Sequence, residues 1–245
     1  LVRDDEGRQW TGSYGISQSF TPTVAPDSND NYNWEGTPLD ENLVFRVGSL
    51  TKMFTAALIL RLVDQELLTL EDTVEQWIPG AVRHSDIITV RQLLNHRSGV
   101  AEFVDAPGFS EEQAWTPEEL LALVTGSDPQ FLPDEYLRYT NTNYLLLGMI
   151  AERVTGQTYE NLVQIELLDV LGLEHTYVPT TSYFPEAHAY GYEQQADNSF
   201  VEVTGFQPTA PWAAGAMISN MFDLATWVEA LFKGSLLNPD TQEQL

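Results

Sequence analysis

The chain has 245 residues, enough for one large domain or two closely packed ones. Its 43% hydrophobic and 11% aromatic residues can build a core, which argues against global disorder. A formal net charge of −25 repels nucleic acid and anionic membrane surfaces, and no apolar run reaches the roughly 18 residues a membrane-spanning helix needs.

Cysteine is absent, so disulfides, zinc thiolate sites and thiol catalysis are excluded. Lysine occurs twice, at Lys52 and Lys233, and the rest of the 11 basic residues are arginines. Many carboxylates with few lysines fit adaptation to high salt and an ordinary acidic secreted protein equally well.

In chain order, residues 1–18 read as two short strands around the turn Asp4-Asp5-Glu6-Gly7. Residues 21–42, rich in Pro, Asn, Asp and Gly, read as a surface loop. A long apolar helix opens near Ser49 and runs to about Gln65. Thr89 opens a short helix, Val90 to Leu94, which closes at His96-Arg97-Ser98-Gly99. Thr116-Pro117-Glu118-Glu119 combines a hydroxyl N-cap, proline at the first helical position and glutamate at the third. Helices follow over Tyr144 to Val154, stopped by Gly156, and over about Tyr159 to Val170. Residues 181–210 lack helical period and predict loops and short strands, and Asp223 to Phe232 predicts an amphipathic helix ending at Gly234.

Two motifs carry chemistry. In Ser49-Leu50-Thr51-Lys52 the Lys lies within a run apolar nearly all round, so the helix should be buried. A buried, unpaired ammonium is costly. Residues i and i+3 share a helix face, with Cβ atoms about 5–6 Å apart, so the amine can reach the Ser hydroxyl. Desolvation lowers the lysine pKa and makes the neutral amine available as a base. The helix N-terminus also favours negative charge developing on Ser49. The bland alternative is a Ser N-cap followed by a Lys that snorkels to the surface. The second motif, Tyr139-Thr140-Asn141, follows the turn-like Pro133-Asp134 and precedes a helix expected to start near Asn143. It sets a phenol and an amide at a helix entrance; alone it reads equally as an N-cap with a half-buried Tyr anchor. The four histidines show no metal-ligand spacing such as His-Glu-x-x-His, and His96 reads as a structural hydrogen-bonder ahead of a turn. No Gly-x-Ser-x-Gly elbow and no phosphate-cradling glycine loop occurs. No metal or cofactor is expected.

Together the motifs point to a family. Phe45-Arg46-Val47-Gly48-Ser49-Leu50-Thr51-Lys52 resembles the nucleophile motif of class C β-lactamases and soluble D-alanyl-D-alanine carboxypeptidases. Tyr139-Thr140-Asn141-Thr142-Asn143-Tyr144, with Leu147-Gly148, resembles that family's Tyr-x-Asn segment. The likeness continues in Leu93-Leu94-Asn95-His96-Arg97-Ser98-Gly99 and in Ala213-Ala214-Gly215-Ala216-Met217-Ile218-Ser219, and looks closer to the carboxypeptidases.

The resemblance implies an α+β fold, an antiparallel sheet flanked by helices plus a helical subdomain. Residues 1–66 and 205–245 would form the sheet-and-helix part and residues 67–204 the helical subdomain, with the site in the cleft between. It implies that Ser49 attacks a carbonyl to form an acyl-enzyme with a D-Ala-D-Ala-type peptide or a β-lactam. Lys52 and Tyr139 would share proton transfer, Asn141 would position the substrate amide, and the Ser49 backbone N–H would supply half of an oxyanion hole. Which of Lys52 and Tyr139 is the base stays open. Trp212 stands where the carboxypeptidases carry a substrate-lining aromatic, or is a core or surface Trp. The partner expected is a small-molecule or peptide substrate, and the location periplasmic or extracellular. A carboxylesterase on the same scaffold and a penicillin-binding or peptidoglycan-sensing module without turnover are the alternatives. The family's third motif, Lys-Thr-Gly or His-x-Gly on a cleft strand, has no good match, since Lys233-Gly234-Ser235 ends a helix pattern. The fold therefore looks truncated at both ends, and the expectation is a piece of a longer hydrolase, or a sheet completed by a missing C-terminal segment or a second chain.

Overall fold

The computed structural model describes residues 1–3, 8–19, 36–234 and 236–244. Strand β1 (Val2–Arg3) pairs antiparallel with β2 (Gln9–Trp10), and β3 (Ile16–Ser19) with β4 (Gly36–Pro38). The N-terminal pair of strands is as expected, with the residues of its Asp4–Gly7 turn outside the described ones. Most of the loop expected over 21–42 also lies outside them, but residues 36–38 are strand. A Cβ built on Gly36 would stand 1.9 Å from the Gln18 carbonyl oxygen, so close strand approach accounts for the glycine there.

Strand β5 (Phe45–Arg46) leads into a 3₁₀ turn, Gly48–Leu50, and then α1 (Thr51–Asp64). Short helices follow, α2 (Val74–Trp77), α3 (Val90–Leu94) and α4 (Pro117–Ala122). The caps of α3 and α4 are those the sequence predicts. Thr89 and Gln92, and Thr116 and Glu119, exchange side-chain and backbone hydrogen bonds as capping boxes. Helix α5 (Asn141–Thr155) stops at Gly156, whose φ of +70° is the left-handed cap conformation. The helix expected over Tyr159 to Val170 is α6 (Tyr159–Val163), a π turn (Gln164–Leu168) and α7 (Asp169–Leu171) in one run. A hairpin, β6 (Tyr192–Gln194) with β7 (Phe200–Glu202), precedes α8 (Trp212–Gly215), β8 (Ile218–Ser219), α9 (Met221–Lys233) and α10 (Pro239–Gln242).

Helices α1 and α5 pack together at the centre. Residues 142–151 of α5 are buried on every side, as are Phe54, Leu58, Ile59 and Leu62 of α1. Burying each such aliphatic or aromatic side chain contributes about 1.5–3 kcal/mol. Phe54 stacks on Trp227 of α9 with ring centroids 3.9 Å apart. Strand β5 lies antiparallel to β8, Phe45 opposite Ser219 and Arg46 opposite Ile218. Tyr177 bridges Ile218 on its other side and His188 bridges Val44. The architecture is α+β, with short antiparallel pairs flanked by helices.

Candidate active site

The nucleophile candidate sits between β5 and α1. Gly48 takes φ +55°, a conformation that favours glycine, and turns the chain out of the strand. Ser49 lies on the 3₁₀ turn rather than on the first turn of the α-helix, which starts at Thr51. Thr51 fixes this corner: its hydroxyl donates to the Gly48 carbonyl at 2.7 Å and accepts the Met217 N–H at 3.0 Å. The Ser49 N–H donates to no protein group among the described residues.

One helical turn on, Lys52 is 5% exposed. Its Nζ donates to Ser49 Oγ at 3.2 Å, to Asn141 Oδ1 at 2.8 Å and to the Ala214 carbonyl at 2.7 Å. Burial lowers its pKa from 10.5 to about 8, against an opposing pull from the Glu102 carboxylate. Asn141 Oδ1 and the carbonyl are acceptors only, so a neutral amine keeps both bonds with its two protons. Its lone pair is then left for the Ser49 hydroxyl. The next turn of α1 holds the same segment, Thr55 Oγ1 donating to the Ala213 carbonyl at 2.7 Å.

Tyr139 reaches the same point from the other side. Its Oη lies 2.6 Å from Ser49 Oγ, its ring lies under Lys52 Nζ at 4.6 Å, and the residue is 49% exposed. Asn141 opens α5, two residues before the expected start. Thr140, extended at φ −148° and ψ 138°, caps the helix by accepting the Thr142 N–H. Glu102 Oε2 accepts the Asn141 N–H at 2.6 Å and Asn141 Nδ2 at 3.2 Å, which fixes the amide with Oδ1 toward Lys52. His96 packs on Tyr139 with ring centroids 4.7 Å apart, and burial followed by the Lys52 charge lowers its pKa to about 4. Tyr144 donates to the Leu94 carbonyl at 3.1 Å, and burial raises its phenol to about 12.

Ser49 borders two cavities. One, of about 240 Å³, is walled by Phe103, Val104, Phe109, Phe206 and Pro211, with Glu111 also in its lining. The other, of about 340 Å³, is walled by Met53, Tyr144, Leu231 and Phe232, with Lys52, His96 and Tyr139 at the Ser49 end. Among the described residues no three His, Asp or Glu side chains gather where they could hold a metal ion, and no helix is long and apolar enough to cross a membrane.

A family-wide sequence profile described as Beta-lactamase matches residues 27–245. The chain belongs to the Beta-lactamase family. Among solved structures of this fold, a D-stereospecific amidohydrolase from Streptomyces sp. superposes with a TM-score of 0.80. The two share 35% identity over 92% of this chain and 72% of that one. A D-amino acid amidase from Ochrobactrum anthropi SV3 follows at TM-score 0.76 and 28% identity, over 90% of this chain and 66% of that one. Penicillin-binding protein 4* of Bacillus subtilis (strain 168) is 28% identical over 229 residues, 85% of this chain. The chain spans about half the length of that relative, 49%.

Of the residues singled out from the β-lactamase-like motifs, the structure brings Ser49, Lys52, Tyr139 and Asn141 into one hydrogen-bonded cluster. It does not bring Trp212 to either cavity. The residue is 6% exposed, its ring centroid lies 5.1 Å from that of Tyr159, and Nε1 donates to Glu160 at 2.9 Å. Lys233 is also away from the site: it ends α9 before the left-handed Gly234, and its amine pairs with Glu229 at 2.5 Å. Glu102 and the apolar wall of Phe103, Phe109 and Phe206 were not legible. Glu102 lies 39 residues before Asn141, and no local pattern marks the pair.

Proposed function

We propose that this protein is a serine hydrolase that transfers the acyl group of an amide with a D-configured acyl residue to Ser49 and then to water. Its acyl donors are simple D-amino acid amides, D-Ala-D-Ala-type peptides or β-lactams. The reading rests on one observation, the Ser49 hydroxyl held 2.6 Å from Tyr139 Oη and 3.2 Å from a buried, pKa-lowered Lys52 amine. The Ser49 proton leaves through the Tyr139–Lys52 pair as Oγ attacks the carbonyl. The Ser49 N–H faces the developing oxyanion, Asn141 receives the substrate amide, and the same pair returns the proton to the leaving amine. Water then repeats the sequence on the ester. The D-configuration is supported by the names of the two amidases above. The cavity of Phe103, Val104, Phe109 and Phe206 is larger than the methyl of D-alanine requires, which favours a bulky apolar acyl side chain.

The test is intact-mass spectrometry over time with D- and L-phenylalanine amide, a β-lactam and a p-nitrophenyl ester. The expected result is an adduct on Ser49, absent from Ser49→Ala, and hydrolysis of the D-amide ahead of the L-amide. An adduct that persists on Ser49→Ala sinks the nucleophile assignment, and equal turnover of both enantiomers sinks the D-specificity. Ester turnover alone would point to a carboxylesterase, and a stable β-lactam adduct without turnover to a penicillin-binding module.

A further inference from the structure

His96 stands beside the cluster without touching Ser49, and it grips the segment carrying Tyr139 at three consecutive residues. Its backbone carbonyl accepts the Arg138 N–H at 2.9 Å, its ring packs on Tyr139 at 4.7 Å, and its Nδ1 accepts the Thr140 N–H at 3.4 Å. The ring is itself anchored. Asn143 Nδ2 donates to Nδ1 at 3.1 Å, and the buried Ser98 hydroxyl donates to Asn143 Oδ1 at 2.6 Å, which fixes the orientation of that amide. The residue adopts φ +60°, a left-handed conformation uncommon for a side chain of this size, inside a folded turn.

Two donors converge on Nδ1, so it carries no proton, and the neutral ring holds its proton on Nε2. Neither nitrogen is then free to take a proton from Ser49. The charged and titratable side chains facing the ring are Lys52 from α1 and Tyr139 and Tyr144 from the segment around the start of α5. A cationic ring would turn Nδ1 into a donor opposite two donors, next to the Lys52 ammonium.

We propose that His96 is a positioning residue, whose neutral ring sets the Tyr139 hydroxyl at Ser49 by holding residues 138, 139 and 140 together. This rests on the reading that Tyr139 handles the Ser49 proton. A displacement of about 1 Å at a reacting group costs on the order of 100-fold in rate, so loss of the grip should slow the reaction of Ser49.

The experiment is a double-mutant cycle on the second-order rate of Ser49 labelling by a fluorophosphonate in the full chain. His96→Asn keeps an acceptor near the place of Nδ1, tolerates the left-handed backbone and removes the ring from Tyr139. It should slow labelling roughly 10- to 100-fold in the wild-type background and less than about twofold in the Tyr139→Phe background. Ser98→Ala, away from Tyr139, removes the hydroxyl that holds the Asn143 amide and accepts the Val100 N–H, and should give a smaller loss that also vanishes with Tyr139→Phe. It serves as the probe if His96→Asn does not fold. Equal losses in both backgrounds, or no loss in either variant, overturn the positioning role. Unlabelled wild-type protein, or a Tyr139→Phe variant that reacts at the wild-type rate, overturns the underlying reading of the site and this inference with it.

Discussion

The proposed acylation of Ser49 should depend on pH through the burial of Lys52. The amine has lost most of its water, which pulls its pKa from 10.5 to about 8. At pH 7 about a tenth of the molecules then carry a neutral amine, compared with about 3 in 10,000 for an unperturbed lysine, a gain of about 300-fold in available base. The sign is set by the neutral form being the competent one. The labelling rate should rise about tenfold per pH unit between pH 5.5 and 7.5 and level off above about 8. Glu102 opposes the shift, so Glu102→Gln should move the midpoint to lower pH. The assay is the second-order rate of fluorophosphonate labelling, corrected for probe hydrolysis, with the p-nitrophenyl acetate burst as a check. A rate still climbing at pH 10, or flat from 5.5 to 9.5, would refute a buried, neutral Lys52. A midpoint that moves upward in Glu102→Gln would refute the electrostatic account of that carboxylate.

Lys52→Ala and Tyr139→Phe should each slow acylation about 100-fold or more, the scale of a general acid–base group, with circular dichroism unchanged; a wild-type rate in either removes that residue from the proton path. Gly148→Ala should destabilise the fold by about 1–3 kcal/mol by overpacking, read as a lower denaturation midpoint. A Cβ at Gly148 would stand 2.7 Å from Ala213 Cβ and 2.8 Å from the Trp212 ring of α8. The melting temperature should rise between 0.05 and 1 M NaCl, because screening relieves the self-repulsion of a −25 charge; a flat or falling response argues against a salt-adapted surface.

Local chemistry was readable where its cause is local. The Thr89 and Thr116 caps, the Gly156 and Gly234 stops and the apolar run after Ser49 appear in the structure as the spacing predicts. Each depends on residues within a few positions, the range over which backbone hydrogen bonds and helical periodicity act. The Ser49–Lys52 contact was legible for the same reason, as an i,i+3 pair. Residues 36–38 read as loop because the reason for Gly36 is the Gln18 carbonyl, brought close only by pairing with another strand. Helix α5 starts two residues before the position the motif predicts, with Thr140 as its cap and Glu102, far away in sequence, accepting the Asn141 N–H. Trp212 was ambiguous from its neighbours and was settled into the core by Gly148, Tyr159 and Glu160, which lie on other helices. Sequence alone therefore determined which side chains are candidates for the site, the i,i+3 pair Ser49 and Lys52 and the segment Tyr139 to Asn141 at the entrance of α5. The tertiary structure decided how far those groups are desolvated and which carboxylates and rings stand beside them. A pKa and a reacting distance depend on every element packed around a group, and no spacing along the chain encodes that sum.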